Sequence, residues 1–124
     1  MDIKTGYFSY LEKYKAMGYT PISIARFTPS WFKGLHISYL APSRKLLFSY
    51  KNNQINEEQF KEEYYKMLNR LDLSKILTKF NVSDNVILLC YEKTGNFCHR
   101  HLLADYLNSN FDMNIKELEV LWRY

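Results

Sequence analysis

Apolar side chains recur at two spacings along this 124-residue chain, and the switches between them outline its elements. The clearest helical period lies after Asn56. There Phe60, Tyr64, Met67, Leu68 and Leu71 follow i, i+4, i+7, i+8, i+11, which places them on one face of a helix running to about Leu71. Asn56 and Gln59 have the spacing of a capping box, so the helix start is marked as well as its face. Tyr7, Tyr10, Leu11 and Tyr14 also share a helical spacing and predict a helix over Tyr7–Met17, stopped at Gly18. Ser43 is a suitable N-cap for a helix over Arg44–Lys51, which Asn52-Asn53 ends. A shorter helix is predicted over Leu73–Phe80, with Ile76, Leu77 and Phe80 inward.

Extended segments alternate with these helices. Pro21–Phe27 is β-branched and apolar except for Arg26 near its end, and reads as a first strand. Thr28–Gly34 cannot easily continue it, because Pro29 lacks a donor and Gly34 favours a turn, so this segment is predicted as a loop. Val86–Tyr91 is apolar on both faces, the pattern of a strand in the middle of a sheet covered on each side. A helix over Phe97–Asn108 follows. Ile115–Leu121 alternates apolar and charged residues and reads as a third, more exposed strand. Strands separated by helices imply parallel pairing with right-handed crossovers. The expected fold is a single α/β domain over residues 1–124, with a small three-layer, mainly parallel sheet and helices on both faces.

Composition narrows the class without choosing a function. Hydrophobic content of 47% and aromatic content of 17% exclude a disordered chain. No apolar run approaches a membrane span and Met1-Asp2-Ile3-Lys4 is not a signal peptide, which gives the expectation of a cytoplasmic protein without a membrane partner. In that compartment the two cysteines are expected to remain free thiols. The net charge of +4 is uneven: residues 1–56 carry eight basic and two acidic side chains, residues 57–124 nine and eleven. The basic half, with aromatics interspersed, offers a face to a phosphate-bearing partner, or is simply a solvated lysine-rich surface.

Candidate chemistry concentrates in Asn85–Leu107, which holds both cysteines and two of the three histidines. With Asn96 as N-cap, Cys98 falls at the second helical position, where free N–H groups and the helix dipole favour a thiolate. A packed, inert thiol is the plainer reading. His99 shares the sheet-facing side with Leu103, Tyr106 and Leu107, either as a core histidine or oriented by Glu92 for acid–base work. His101 falls on the solvent side and is assigned no role. Arg100 in the first turn opposes the helix dipole, a cost that an anion there would offset. With the N–H groups of Phe97–Arg100 it forms a phosphate or carboxylate cradle. Arg26, at the end of a parallel strand, reaches the same crevice, since parallel strands end on one edge. Zinc is not expected: Cys90, Cys98, His99 and His101 match no paired ligand spacing, and His99 and His101 diverge on a helix. A Cys90–Cys98 disulfide is sterically feasible but disfavoured in a reducing compartment. No dinucleotide, Walker, nucleophile-elbow or zincin motif is present, and no cofactor is expected.

Leu89-Cys90-Tyr91-Glu92-Lys93 followed by Phe97-Cys98-His99-Arg100-His101 resembles the C-x-E strand end and C-H-R helix start of the domain of unknown function 488 family. Ile22–Pro29 is similar to that family's other signature, a strand ending in Arg with Pro shortly after, and Leu40-Ala41-Pro42-Ser43 to a segment of its small members. The resemblance runs from about residue 5 to Leu107. Thr94 departs from it, standing where similar sequences often have Pro. It implies a three-layer α/β fold with a polar crevice built from Arg26, Glu92, Cys98, His99 and Arg100, and it implies no particular reaction.

Three functions fit these readings. The first is binding of a phosphorylated small molecule, most naturally a nucleotide. Arg26 and Arg100 hold the anion, Trp31, Phe32 or Tyr39 stack on a base, and Cys98, His99 and Glu92 serve as nucleophile, base and acid. The second is a nucleic-acid-binding accessory module using the basic aromatic half, with Lys33, Arg44 and Lys45 on phosphates. The third is a protein-interaction or inhibitor module of a mobile element. Oligomeric state is not legible.

Overall fold

The computed structural model describes residues 2–80, 84–92 and 97–120. Five parallel strands form one sheet in the order β3-β2-β4-β1-β5. The strands are β1 (Ile3–Tyr7), β2 (Tyr19–Ser23), β3 (Leu35–His36), β4 (Asn85–Cys90) and β5 (Lys116–Glu117). The helices are α1 (Leu11–Ala16), α2 (Arg44–Lys51), α3 (Glu57–Asn69), α4 (Leu73–Leu77) and α5 (His99–Phe111). The α/β fold with a parallel sheet is as the alternation of periods predicts.

β4 is the central strand because it is apolar on both faces. Val86–Cys90 lie opposite Ile3–Tyr7 on one side, and Asn85–Leu89 lie opposite Tyr19–Ser23 on the other. Every residue from Val86 to Cys90 is buried. Val86 and Leu88 join Phe60, Tyr64 and Leu68 of α3, Leu73 and Ile76 of α4 and Leu103 and Leu107 of α5. Ile87 and Leu89 face the other way, with Phe8 and with Leu11 and Tyr14 of α1. These are the helix layers on the two faces.

Caps are where sequence reading is most secure, since they depend on local hydrogen bonds. The Ser43 side chain accepts from the Leu46 N–H, and the Asn56–Gln59 box is formed in both directions. Tyr64 is fully enclosed, and its hydroxyl donates to the Leu40 carbonyl at 2.6 Å, fixing α3 against the turn before α2.

The N-terminal segment departs from expectation. Tyr7 closes a strand, Phe8–Tyr10 form a 3-10 turn, and only Leu11–Ala16 are α-helical. Five residues of pairing with β4 outweigh the helical spacing of three tyrosines. The first predicted strand begins earlier, at Tyr19, and its regular part ends at Ser23, although the Ile24 N–H still donates to the Leu89 carbonyl. α4 ends at Leu77 rather than Phe80, and β5 is two residues long. α5 begins at His99 and runs to Phe111, so the predicted helix is displaced toward the C-terminus. The proposed cap Asn96 and the Lys93-Thr94-Gly95 turn lie outside the described residues, as does Leu121. Among the described residues, no helix is long and apolar enough to cross a membrane.

Gly6 shows how tightly α1 is seated. A Cβ there would stand 2.6 Å from Cζ and Oη of Tyr14, whose hydroxyl accepts the Tyr7 N–H. Gly6→Ala is therefore expected to cost about 1–3 kcal/mol by overpacking, read as a lowered urea midpoint with unchanged m-value. A neutral substitution would show that the Tyr14 ring moves freely.

Candidate functional site

Parallel strands present their C-terminal ends on one edge, and in this sheet the ends of β2 and β4 are neighbours. Beyond them the chain bends at Arg26 and Phe27. Ile37 donates its N–H to Ser23 O, while the hydroxyls of Ser23 and Thr28 bond each other. The gap is a crevice of about 520 Å³. Ala25, Arg26 and Phe27 form one wall, Cys90 to Glu92 the other, and Phe97 to His99 the base. Tyr50 and Lys51 of α2 and Glu57 and Phe60 of α3 also line it.

The crevice thus brings together Arg26, Glu92, Cys98 and His99. Arg26 donates its Nε–H to the Pro42 carbonyl at 3.0 Å, its one hydrogen bond among the described residues. Glu92 stands exposed at the rim, and its backbone carbonyl is taken by Arg100. Cys98 is the N-cap residue of α5 rather than its second helical residue, because regular helix starts at His99.

His99 is buried, with Nε2 hydrogen-bonded and Nδ1 beside a sulfur that carries no proton in the disulfide. Nε2 lies 2.7 Å from the Ile24 carbonyl, which can only accept, so Nε2 carries the proton. Nδ1 is then a lone-pair acceptor, 3.8 Å from Cys98 Sγ. Burial, opposed by the bond to Ile24 and reinforced by nearby Arg100 and Arg26, pushes the imidazole pKa down to about 4. His99 is a neutral histidine oriented by a backbone carbonyl, and Glu92 is not its partner. His101 is half-buried instead of solvent-facing, and among the described residues its Nε2 has no hydrogen-bond partner. Burial lowers its pKa.

Arg100 is fully buried and turned away from the crevice. Nε and Nη2 donate to the two oxygens of Glu117 at 3.0 and 2.7 Å, a bidentate pair. Nη1 donates to the Glu92 carbonyl at 2.6 Å and contacts Cys90 Sγ at 3.2 Å. The carboxylate that offsets the cost of an arginine in the first turn is thus part of the protein. Glu117 also accepts from the Thr5 hydroxyl at 2.6 Å, so one ion pair joins β1, β4, β5 and α5.

Trp31 and Phe32 lie outside the crevice. Both pack edge-on against Phe8, with centroids 6.1 and 5.6 Å away, and Phe8 also contacts Tyr91. The crevice aromatics are Phe27, Tyr50, Phe60, Tyr91 and Phe97. Tyr50, Lys51 and Glu57 carry no motif, and only the packing of α2 and α3 over the sheet edge assigns them.

Cys90 and Cys98 are joined as a disulfide, their Cα atoms 7.6 Å apart. The expectation of two free thiols is corrected here. The end of β4 and the start of α5 direct both sulfurs to one point, which spacing alone does not reveal. Cys90 therefore lines the crevice together with Cys98.

A family model described as the active DUF488-N3 subclade matches residues 17–111. The chain belongs to the DUF488 family. No curated protein and no solved structure gave a match. The segment matched to DUF488 includes every residue lining the crevice and leaves out β1 and Glu117.

Removing the Glu117 charge would strand a guanidinium in the core of this DUF488 protein. Glu117→Gln is expected to cost about 3–5 kcal/mol, against less than about 0.5 for Glu119→Gln on the surface. Urea unfolding of the two variants makes the comparison, and equal stabilities would mean that Arg100 does not depend on Glu117.

Proposed function

We propose that this DUF488 protein binds a small anionic ligand, phosphorylated and of nucleotide type, in the crevice between the ends of β2 and β4. The observation that carries the reading is Arg26, a permanent cation on the crevice wall. Its Nε–H is held by Pro42 and its two terminal nitrogens remain for a ligand. A guanidinium so anchored binds a phosphate or carboxylate in a bidentate manner. Lys51 adds charge, and the start of α5, whose N-cap Cys98 makes no side-chain cap bond, adds backbone N–H groups that carry no cap among the described residues. Phe27, Tyr50 and Phe97 offer apolar faces to a flat ring, taking the role expected of Trp31 and Phe32. Arg100 supports the site from beneath by holding the Glu92 carbonyl and the α5 start in place.

Chemistry in the crevice belongs to the reduced protein. Once a dithiol reductant has opened the disulfide, Nδ1 of His99 is placed to accept the Cys98 thiol proton, with Glu92 at the rim. The description of the matched subclade as active agrees with a reactive site.

Thermal-shift measurements with nucleoside mono-, di- and triphosphates test the binding. Wild type is expected to be stabilised by at least one of them, and Arg26→Gln to weaken that ligand tenfold or more, the order of 1.4 kcal/mol expected for one charge-assisted contact. Trp31→Ala should leave it unchanged. Equal shifts in wild type and Arg26→Gln, or none in either, would contradict the reading.

A further inference from the structure

Cys90 Sγ, Cys98 Sγ and a ring nitrogen of His99 lie within 4.8 Å of one another, and all three residues are buried and line the crevice. We infer that, when the cysteines are reduced, these three side chains bind a divalent metal ion of the zinc class, with a fourth coordination position open to the crevice. The inference deepens the crevice reading and rests on it only for what that open position faces.

Distance supports it first. Two ligands of a tetrahedral zinc with bonds of about 2.1–2.3 Å are separated by roughly 3.5–3.8 Å, and Cys98 Sγ stands 3.8 Å from His99 Nδ1. Breaking the sulfur–sulfur bond lets Cys90 and Cys98 part to a similar spacing, and their Cα atoms, 7.6 Å apart, leave room for it. The outer contacts are also those of a metal site. A ligating histidine characteristically donates its other N–H to a carbonyl or carboxylate, which fixes the tautomer, and His99 Nε2 donates to Ile24 O at 2.7 Å. Nη1 of Arg100, 3.2 Å from Cys90 Sγ, supplies a donor to a coordinated thiolate, while its own charge is balanced by Glu117.

Donor chemistry selects the ion. Two thiolates with one imidazole favour zinc-class metals over magnesium or calcium. Three protein ligands with one open position are the arrangement of catalytic zinc, whereas structural sites close the fourth. The redox balance is explicit. A dithiol reductant gives two electrons and two protons to the Cys90–Cys98 disulfide and becomes a disulfide itself. Metal binding then releases the two thiol protons to solvent. The disulfide is the metal-free, oxidised form of the same cluster. Cys98 Sγ and His99 Nδ1 would then be metal ligands, so the thiol–imidazole pairing described above belongs to the reduced, metal-free protein, and a bound metal would supply Lewis acidity at its open position.

Cobalt titration of the reduced protein under anaerobic conditions tests the site. The expected result is a thiolate-to-cobalt charge-transfer band that saturates at one equivalent, is bleached by zinc, and is absent from the oxidised protein. Cys90→Ser, shown to be folded by circular dichroism, should lose at least half of the band. A second measurement needs no variant: zinc should protect Cys90 and Cys98 from iodoacetamide in reduced wild type, read by peptide mass spectrometry. Absence of the cobalt band together with full alkylation of both thiols in excess zinc would overturn the site. Arg26→Gln should keep the cobalt band while losing the nucleotide shift, so failure of the metal site and failure of the anion site are separable.

Discussion

The bidentate pair between Arg100 and Glu117 is the interaction on which the site depends. A guanidinium with no exposed surface is tolerable only if its charge and its donors are met. Glu117 meets the charge and two donors, and the Glu92 carbonyl and Cys90 sulfur take a third nitrogen. Because these partners sit on β5, at the end of β4 and on α5, the pair fixes the angle at which α5 leaves the sheet. At that angle Cys98 meets Cys90 at the end of β4 and His99 reaches the Ile24 carbonyl just after β2. A buried pair of this kind adds little net stability compared with apolar packing, yet is costly to break. Its contribution is geometric.

From this follows a division of labour between two arginines that look alike in sequence. Arg26 has its guanidinium on a crevice wall with one internal bond, whereas Arg100 is enclosed with four internal contacts. The first is available to a ligand and the second is structural. His99 is likewise fixed by a backbone carbonyl, leaving one nitrogen for the sulfur beside it. The crevice lining is an ordered set of polar groups in a DUF488 fold.

Much of this was legible in the chain. Asn56 and Gln59 marked α3, Ser43 marked α2, and the two-faced apolar run of β4 placed it at the sheet centre, because each signal is local. The crevice location also followed from parallel strand ends, and Arg26, Glu92, Cys98 and His99 do meet there. What was missed is tertiary. β1 is short, and the tyrosine spacing beside it favoured a helix until pairing with β4 is counted. Glu117 did leave a trace: it shares the inward phase of Ile115, a carboxylate where an apolar side chain belongs, and so needed a buried cation. The meeting of Cys90 with Cys98 is sterically open in the sequence but disfavoured by the expected compartment, and an eight-residue separation across a strand end and a helix start fits no ligand-spacing rule.

The proposed function requires that Arg26, and not Arg100, meets an anionic ligand. Nitrogen-15 NMR of the arginine Nε–Hε groups during titration with a nucleoside phosphate tests it directly. The account predicts that the Arg26 resonance moves in proportion to occupancy, while that of Arg100 stays in place and remains protected from hydrogen exchange. A ligand-dependent shift centred on Arg100, with Arg26 unmoved, would contradict it.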